Sequence, residues 1–527
     1  MHLLKLTFHQ TRVTFFDIFP VCFSIFADIS GYMFKRLRRS FEGFAEENAF
    51  CINNTYYTYK DFGKRINGIM AGINPCISPN IGIVVYNDIE TYAAVLAVLF
   101  SGKTFIPLAP DNPAERISKI MDQAEIETIL TSQTGHIEQI FSDTKSIRKI
   151  STKNVLSEKY IPDIPAVPAE QNAYILFTSG STGLPKGVPI RYKNLSAFVD
   201  AFFSMGYDLN ETDRFLQMFE LTFDLSIMSY LIPLCVGASV YTVPSGEIKY
   251  TAAYSILEEH QITVALMVPS ILMFLRKYFD EIRLPSMRYS MFCGEALFSD
   301  LTRQWSECVP NALVQNVYGP TEATIFCMAY NWEHTNKNKD YNGIVCIGKP
   351  MKNMQAIIVD EQQAEVAAGC FGELCLAGNQ VTSGYLKNPQ KNKEAFFSHC
   401  KDNTEYVFYR TGDICTRDDD GEFFYNGRLD NQVKIQGFRV ELSEVEYYAR
   451  EFTGNANAAA FTSQNATGSI FIHLFVEGFV NTNELDGYLK TKLPPYMIPA
   501  IILSLKKFPL NANGKTDRKA LQKMISL

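Results

Sequence analysis

Apolar residues along this chain fall into two rhythms, and their alternation predicts its architecture. Short unbroken runs closed by glycine, proline or polar clusters, such as Ile81-Gly-Ile-Val-Val-Tyr86 and Thr104-Phe-Ile-Pro-Leu108, have the length of buried strands. Between them, Thr91 to Phe100 is long enough for a helix. From about Phe41 to Asp200 strand and helix take turns in this way, which is the grammar of parallel sheets covered by helices. The same grammar continues: Tyr230 to Val243, Thr263 to Val268 and Tyr289 to Cys293 predict further buried strands, while Ile256 to His260 and Asp300 to Cys308 predict parts of helices. Between Gly343 and Leu386 the runs shorten and helical spacing disappears, so a small, mostly antiparallel β portion is expected there.

Near Asp430 the pattern changes again. Gly427 to Gly437 sets polar residues between compact apolar runs, and Leu442 to Ala449 then spaces apolar residues as an amphipathic helix does. A strand over Ser469 to Val476 and a helix over Glu484 to Leu493 follow, which places a domain boundary at about residue 430. At the other end, Val13 to Ala27 is apolar and aromatic but broken by Asp17 and Pro20, and too short for a membrane-spanning helix. Residues 1–32 therefore read as a leader, with Met33 a candidate true start and a cleaved export signal the alternative.

Composition narrows the function classes. The 527 residues are 47% hydrophobic and 20% charged, enough for an ample core and two or more domains. A net charge of -7 argues against nucleic acid as the main partner. The 12 cysteines contain no Cys-x-x-Cys pair and the 7 histidines do not cluster, so neither a disulfide framework nor a zinc site is signalled and a cytoplasmic location is expected.

The most informative stretch is Tyr174 to Pro189, YILFTSGSTGLPKGVP. Ala173 to Phe177 reads as a buried strand, and Thr178, Ser179, Gly180, Ser181, Thr182 and Gly183 cannot continue it, so they form a loop. Glycines let backbone amides approach a ligand, hydroxyls suit phosphate oxygens, and Lys186 adds positive charge. A Ser/Gly linker has a similar composition but is seldom joined directly to a buried strand. Walker A spacing fails here, because the lysine is followed by Gly187, and at Gly514-Lys515-Thr516 it fails because Pro509 replaces the leading glycine.

With its companions the loop forms a signature. Asn316-Val-Tyr-Gly-Pro-Thr-Glu-Ala-Thr324, Tyr409-Arg-Thr-Gly-Asp413, Gly427-Arg-Leu-Asp430 and Asn513-Gly-Lys-Thr-Asp-Arg518 follow it in order. The chain thereby resembles the adenylate-forming superfamily of acyl-CoA synthetases, luciferases and peptide-synthetase adenylation enzymes. Within it, the chain looks most like free-standing D-alanine-carrier protein ligases of teichoic acid D-alanylation.

The resemblance implies an α/β fold: a large N-terminal domain, residues 33–429, of two parallel-type sheets with helices plus a β-barrel-like portion, and a small mobile α+β C-terminal domain, residues 430–527. It implies ATP and Mg²⁺ as cofactors, attack of a carboxylate on the α-phosphorus, release of pyrophosphate, and transfer of the acyl group to a thiol. Thr178 to Gly183 and Lys186 would hold the β- and γ-phosphates, and Glu322 the metal. Tyr318 would stack on adenine, with Gly294, Glu295 and Ala296 on its other face and Asn316, Val317, Gly319, Pro320 and Thr321 around it. Asp413 would accept the ribose hydroxyls, with Arg428, Tyr425, Asn426 and Gly427 nearby. Lys515 would carry the adenylation step by neutralising the meeting anions, and Asp430 would be the hinge about which Lys434 to Gly437 are presented to the incoming thiol.

Substrate choice is expected at Asp224, where amino-acid-activating relatives keep an aspartate for the substrate ammonium; a helix cap before Leu225 is the plain alternative. The family pattern puts Leu225, Met228, Leu266, Met291, Cys293, Val317, Ile325 and Phe326 around the side-chain end. Their bulk and lack of a second charge imply a small amino acid, with D-alanine favoured. The C-terminus leaves 12 residues after Lys515, so the phosphopantetheine acceptor is expected on a separate carrier protein. The alternatives are a free-standing adenylation enzyme for an L-amino acid and, against Asp224, an acyl-CoA synthetase. Nucleic acid and stable membrane insertion are not expected.

Overall fold

The computed structural model describes residues 19–133, 147–180, 183–245, 248–334, 337–430, 432–454, 456–465, 470–511 and 516–525, with side chains from residue 31 onward. Lys515, Ser181 and Thr182 lie outside the described residues. Two sheets built on parallel strands carry most of the chain. The first has six strands in the order Arg148–Ser151, Thr128–Thr131, Asn80–Val84, Thr104–Leu108, Asn172–Thr178 and Lys186–Arg191. All its pairings are parallel except the last, where Thr178 sits opposite Lys186 in an antiparallel hairpin.

The second sheet has nine strands, in the order Lys349–Pro350, Met328–Trp332, Leu313–Tyr318, Tyr289–Phe292, Val264–Met267, Arg214–Gln217, Ser239–Thr242, Asn48–Ile52 and Thr55–Thr58. Its centre is parallel, and antiparallel strands close both edges. Helix Ile89–Phe100 is buried along all but one of its residues, as expected for an element lying between layers. Its N-cap Asp88 accepts from the Thr91 amide at 2.8 Å, which sets the start of the helix.

One predicted element is corrected. Tyr230 to Val243 is not a strand throughout: Leu225–Leu234 is a helix, and only Ser239–Thr242 pairs in the sheet. Both pieces are wholly buried, so no polar face marks the helical period, and an unbroken apolar run does not distinguish the two states. Gly237, at φ +82, makes the turn between them.

The antiparallel portion is an open sheet of five strands, Met354–Val359, Gly372–Gly378, Thr404–Arg417 and Phe396–Lys401 in order, with Phe423–Arg428 also paired to Thr404–Arg417. Beyond it the chain builds a separate core from Ile435, Val440, Val445, Leu474, Leu485 and Met497. This core joins helix Leu442–Thr453 to the three-stranded sheet of Ala458–Gln464, Ile470–Glu477 and Ile501–Leu505. Among the described residues no helix is long and apolar enough to cross a membrane.

The nine-stranded sheet is anchored at Trp305, fully buried in helix Ser299–Cys308, whose indole N–H donates to Ser290 Oγ at 2.9 Å. Trp305→Ala is expected to destabilise the protein by about 3–5 kcal/mol through the lost area and the cavity left behind, read as a lowered urea midpoint.

Candidate active site

The hydroxyl-rich loop is the turn of the edge hairpin, so its strands hold both of its ends. Gly180 has no room for a side chain, because a Cβ there would lie 2.0 Å from the Leu184 carbonyl oxygen, and Gly183 sits at φ +76. Several described groups of the loop and its hairpin bond to the C-terminal core. The Gly180 amide donates to Glu444 Oε2 at 3.0 Å, and Ser179 Oγ donates to the Arg439 carbonyl at 2.9 Å. Lys186 Nζ pairs with Glu441 at 3.0 Å, and the Tyr448 hydroxyl donates to the Gly183 carbonyl at 2.7 Å.

Glu322 lies beside this loop and is completely buried. Arg439 clasps both its carboxylate oxygens, at 2.9 and 2.8 Å, and the Tyr385 hydroxyl donates to one of them at 2.6 Å. Burial by itself would raise this carboxyl, but Arg439, Tyr385 and Lys186 outweigh it and hold it below the ordinary carboxylate range.

A cavity of about 380 Å³ opens next to these groups. It is lined by Tyr318, Gly294 to Ala296, Asn316, Val317, Gly319, Asp413, Tyr425 and Arg428 from the N-terminal part and by Lys434 and Gln436 from the hairpin beyond Asp430. Tyr318 and Arg428 hold Asp413 from two sides: the Tyr318 hydroxyl donates to one oxygen, and Arg428 pairs with the other at 2.5 Å. Arg428 also grips both oxygens of Asp430 at 2.7 and 2.9 Å. Glu295 accepts the Ser270 amide at 2.8 Å and the Gly437 amide at 2.9 Å, which ties the hairpin to this wall. Asn316 points its amide at the Val345 and Cys346 carbonyls and so fixes the cavity floor. Asn426 is exposed, and neither it nor Gly427 lines the cavity.

A smaller cavity of about 40 Å³ adjoins it, lined by Asp224, Leu225, Cys293, Gly319, Pro320 and Thr321, with Lys434 and Gly437 across from them. Asp224 stands at the start of helix Leu225–Leu234 but makes no capping hydrogen bond. Burial raises its carboxyl to about 6, against the opposing influence of the Thr321 hydroxyl and the Lys434 ammonium. Burial likewise pushes the Cys293 thiol up to about 12, so it is a neutral wall.

Six residues expected around this pocket do not line it: Val317 lines the larger cavity instead. Met228, Leu266, Met291, Ile325 and Phe326 are buried in the main core. The Phe326 ring meets Phe198 edge-on at 5.0 Å and also contacts Phe202, so its bulk fills space behind the pocket. Gly319 brings the two layers together: a Cβ there would lie 2.4 Å from the Phe326 Cα.

Sequence reasoning missed Arg116, Tyr385, Arg439, Glu441 and Glu444. Arg439, Glu441 and Glu444 follow the Gly427–Gly437 motif directly, and their charge density just before an amphipathic helix is a usable signal. Arg116 and Tyr385 carry no such mark.

Residues 37–386 match the AMP-binding enzyme family. The chain belongs to that family. It is 30% identical over 492 residues to zwittermicin A synthase ZmaJ of Bacillus cereus, covering 90% of this chain and 92% of that one. It is also 32% identical over 441 residues to the dimodular nonribosomal peptide synthase of Bacillus subtilis (strain 168), where the match covers 82% of this chain but 18% of that protein. The structure resembles that of the Vibrio cholerae adenylation domain AlmE in complex with glycyl-adenosine-5'-phosphate, with a TM-score of 0.83, 26% identity, and 94% and 97% of the two chains covered.

The protein is thus an adenylate-forming enzyme, with ATP and Mg²⁺ as its cofactors. Its residues fit both. The 380 Å³ cavity offers an aromatic ring and a fixed carboxylate to a nucleoside. Among the described residues no group of three or more His, Cys, Asp or Glu could hold a metal by itself. Single carboxylates do suit Mg²⁺, which keeps its waters and takes its other ligands from phosphates.

Phe326→Ala is expected to cost about 3–5 kcal/mol of stability, because it empties a core position between two rings, and to leave amino-acid preference unchanged. Chemical denaturation and substrate competition assays check the two halves of that statement.

Proposed function

We propose that this enzyme activates a small amino acid, with D-alanine favoured, as its aminoacyl-adenylate and passes the acyl group to the phosphopantetheine thiol of a separate carrier protein. The observation that carries this reading is Asp224, 4% exposed on the wall of a 40 Å³ cavity beside the nucleoside-sized one. A dry carboxylate suits a cationic substrate and rejects an acyl tail. The bound glycyl-adenosine-5'-phosphate of AlmE supports a small amino acid. A second reading, an adenylation enzyme for an L-amino acid, is supported by the likeness to a nonribosomal peptide synthase.

In this reading Tyr318 stacks on adenine and Asp413, preset by Arg428, accepts the ribose hydroxyls. The 178–183 loop and Lys186 take the β- and γ-phosphates, and Glu322 holds the metal, which supplies charge neutralisation when bound. The substrate ammonium rests on Asp224, its carboxylate oxygen attacks the α-phosphorus, and pyrophosphate departs with the electrons of the broken P–O bond. Lys515 neutralises the two anions as they meet. Rotation about Asp430 then withdraws Lys515, and the Lys434–Gly437 turn faces the thiol. The Glu295 bond to the Gly437 amide supports this second arrangement.

Amino-acid-dependent ATP–pyrophosphate exchange tests the proposal. Exchange is expected with D-alanine and to a lesser degree with L-alanine, glycine or serine; exchange only with fatty or aryl acids refutes the Asp224 argument, and preference for an L-amino acid selects the second reading. Lys515→Ala is expected to lower exchange by at least about a hundredfold.

The raised Asp224 carboxyl adds a pH signature. Below about 6 it is protonated and loses its hold on an ammonium, so kcat/KM for the amino acid should fall about tenfold per pH unit there. Because burial lifts this carboxyl above its ordinary 3.8, its ionisation opposes folding, from no penalty below pH 3.8 to the full penalty above pH 6. Asp224→Asn should therefore abolish exchange yet raise stability at pH 8, by up to about 3 kcal/mol, measured by denaturant titration.

A further inference from the structure

Two opposite charges line the 40 Å³ cavity without meeting. Asp224 stands on one wall, and Lys434 stands on the wall supplied by the hairpin of Gln432–Ile435 and Phe438–Glu441. The other charged groups of the lining are engaged: Arg439 pairs with Glu322, and Asp413 is held by Tyr318 and Arg428. Among the described residues the Lys434 ammonium makes no ion pair or hydrogen bond. Asp224 has the Thr321 hydroxyl beside it, but no ion pair.

Strand register explains why Lys434 is aimed here. It lies directly opposite Arg439 in the hairpin, so the two side chains share the face that meets the N-terminal part. The turn beyond it closes the space: a Cβ on Gly294 would lie 3.8 Å from the Gly437 Cα, and one on Gly437 would lie 2.7 Å from Val268 Cγ1. Glycines at φ +94 and +86 let the two backbones approach. Leu225, Cys293, Gly319 and Pro320 add walls without charge, and the volume holds only a few water-sized groups.

A carboxylate and an ammonium that share a small space but do not pair are each short of a partner, and a dipole of the reverse sense satisfies both. A free α-amino acid is such a dipole, because its ammonium and carboxylate sit on one carbon. We propose that Lys434 binds the carboxylate of the unactivated amino acid while Asp224 binds its ammonium, so that the pocket in this arrangement takes the whole zwitterion without ATP. This rests on the amino-acid reading above and names the form of the substrate: neither an amine nor a carboxylic acid alone satisfies both walls. It also gives an order of events, since the amino acid is held before any nucleotide arrives.

The test uses the full chain, without ATP or Mg²⁺. D-alanine, L-alanine and glycine are titrated by calorimetry into the wild type, Lys434→Met and Lys434→Arg, each first checked for a cooperative thermal transition. The matching amides keep only the ammonium, and propionate and acetate keep only the carboxylate. At least one amino acid should bind the wild type, with its amide and its deaminated acid each weaker by about tenfold or more. Lys434→Met should weaken the amino acid about tenfold without weakening the amide, and Lys434→Arg should restore most of that loss.

The amide comparison separates a carboxylate contact from a merely structural lesion, which would weaken amino acid and amide alike. That equal loss overturns the proposal, as does a wild type that binds the amide as tightly as the amino acid, or a Lys434→Met that binds the amino acid as tightly as the wild type. Amino-acid-dependent ATP–pyrophosphate exchange without any binding in the absence of ATP overturns this inference alone. Exchange driven only by fatty or aryl acids overturns the functional reading; zwitterion-selective binding that Lys434→Met removes would still uphold this one.

Discussion

A carboxylate removed completely from water needs a cation, and at Glu322 that requirement governs how the two halves of the protein meet. Its burial would raise its pKa, yet its neighbours keep it charged. Arg439 supplies the cation in this arrangement, and it comes from the C-terminal core, more than a hundred residues further along the chain. Because a buried unpaired charge is costly, Glu322 and Arg439 hold the two cores together as a pair. Lys186 and the Gly180 amide take their partners Glu441 and Glu444 from the same strand and helix.

The fold's contribution is to bring ends of elements together. The loop is the turn of an edge hairpin, and Tyr318 ends a strand of the nine-stranded sheet. Asp413 lies in the long strand Thr404–Arg417 of the antiparallel portion. Two separate sheets therefore contribute Tyr318 and Asp413 to one cavity, and the hydrogen bonds of Asn316 and Arg428 hold its walls. Asp224 depends on the same closeness: Gly319 lets its backbone approach that of Phe326, and the 40 Å³ cavity beside Asp224 is what remains.

Much of this was legible before any coordinates. Alternating runs foretold strand and helix order from Phe41 onward because each run was closed by turn residues. They failed at Tyr230, where burial on every side erased the helical period. The motifs singled out the loop, Tyr318, Asp413 and Asp224, and the last three do stand on cavity walls. The pocket wall was less legible: Phe326 is adjacent in sequence to residues of the site, but its ring direction depends on Phe198 and Phe202, far away in the chain.

By itself, then, the sequence determined the family, the hydroxyl-rich loop after its strand, and the residues that come to line the two cavities from Tyr318, Asp413 and Asp224. Each of these is a local requirement, met by residue type and spacing. Only the tertiary structure decided that Phe326 belongs to the core and that Glu322 is clasped by Arg439. It also decided that Arg116 and Glu444, separated by 328 positions, form one buried pair. Those are long-range charge and packing choices, and they depend on how the two cores dock, which no stretch of adjacent residues encodes.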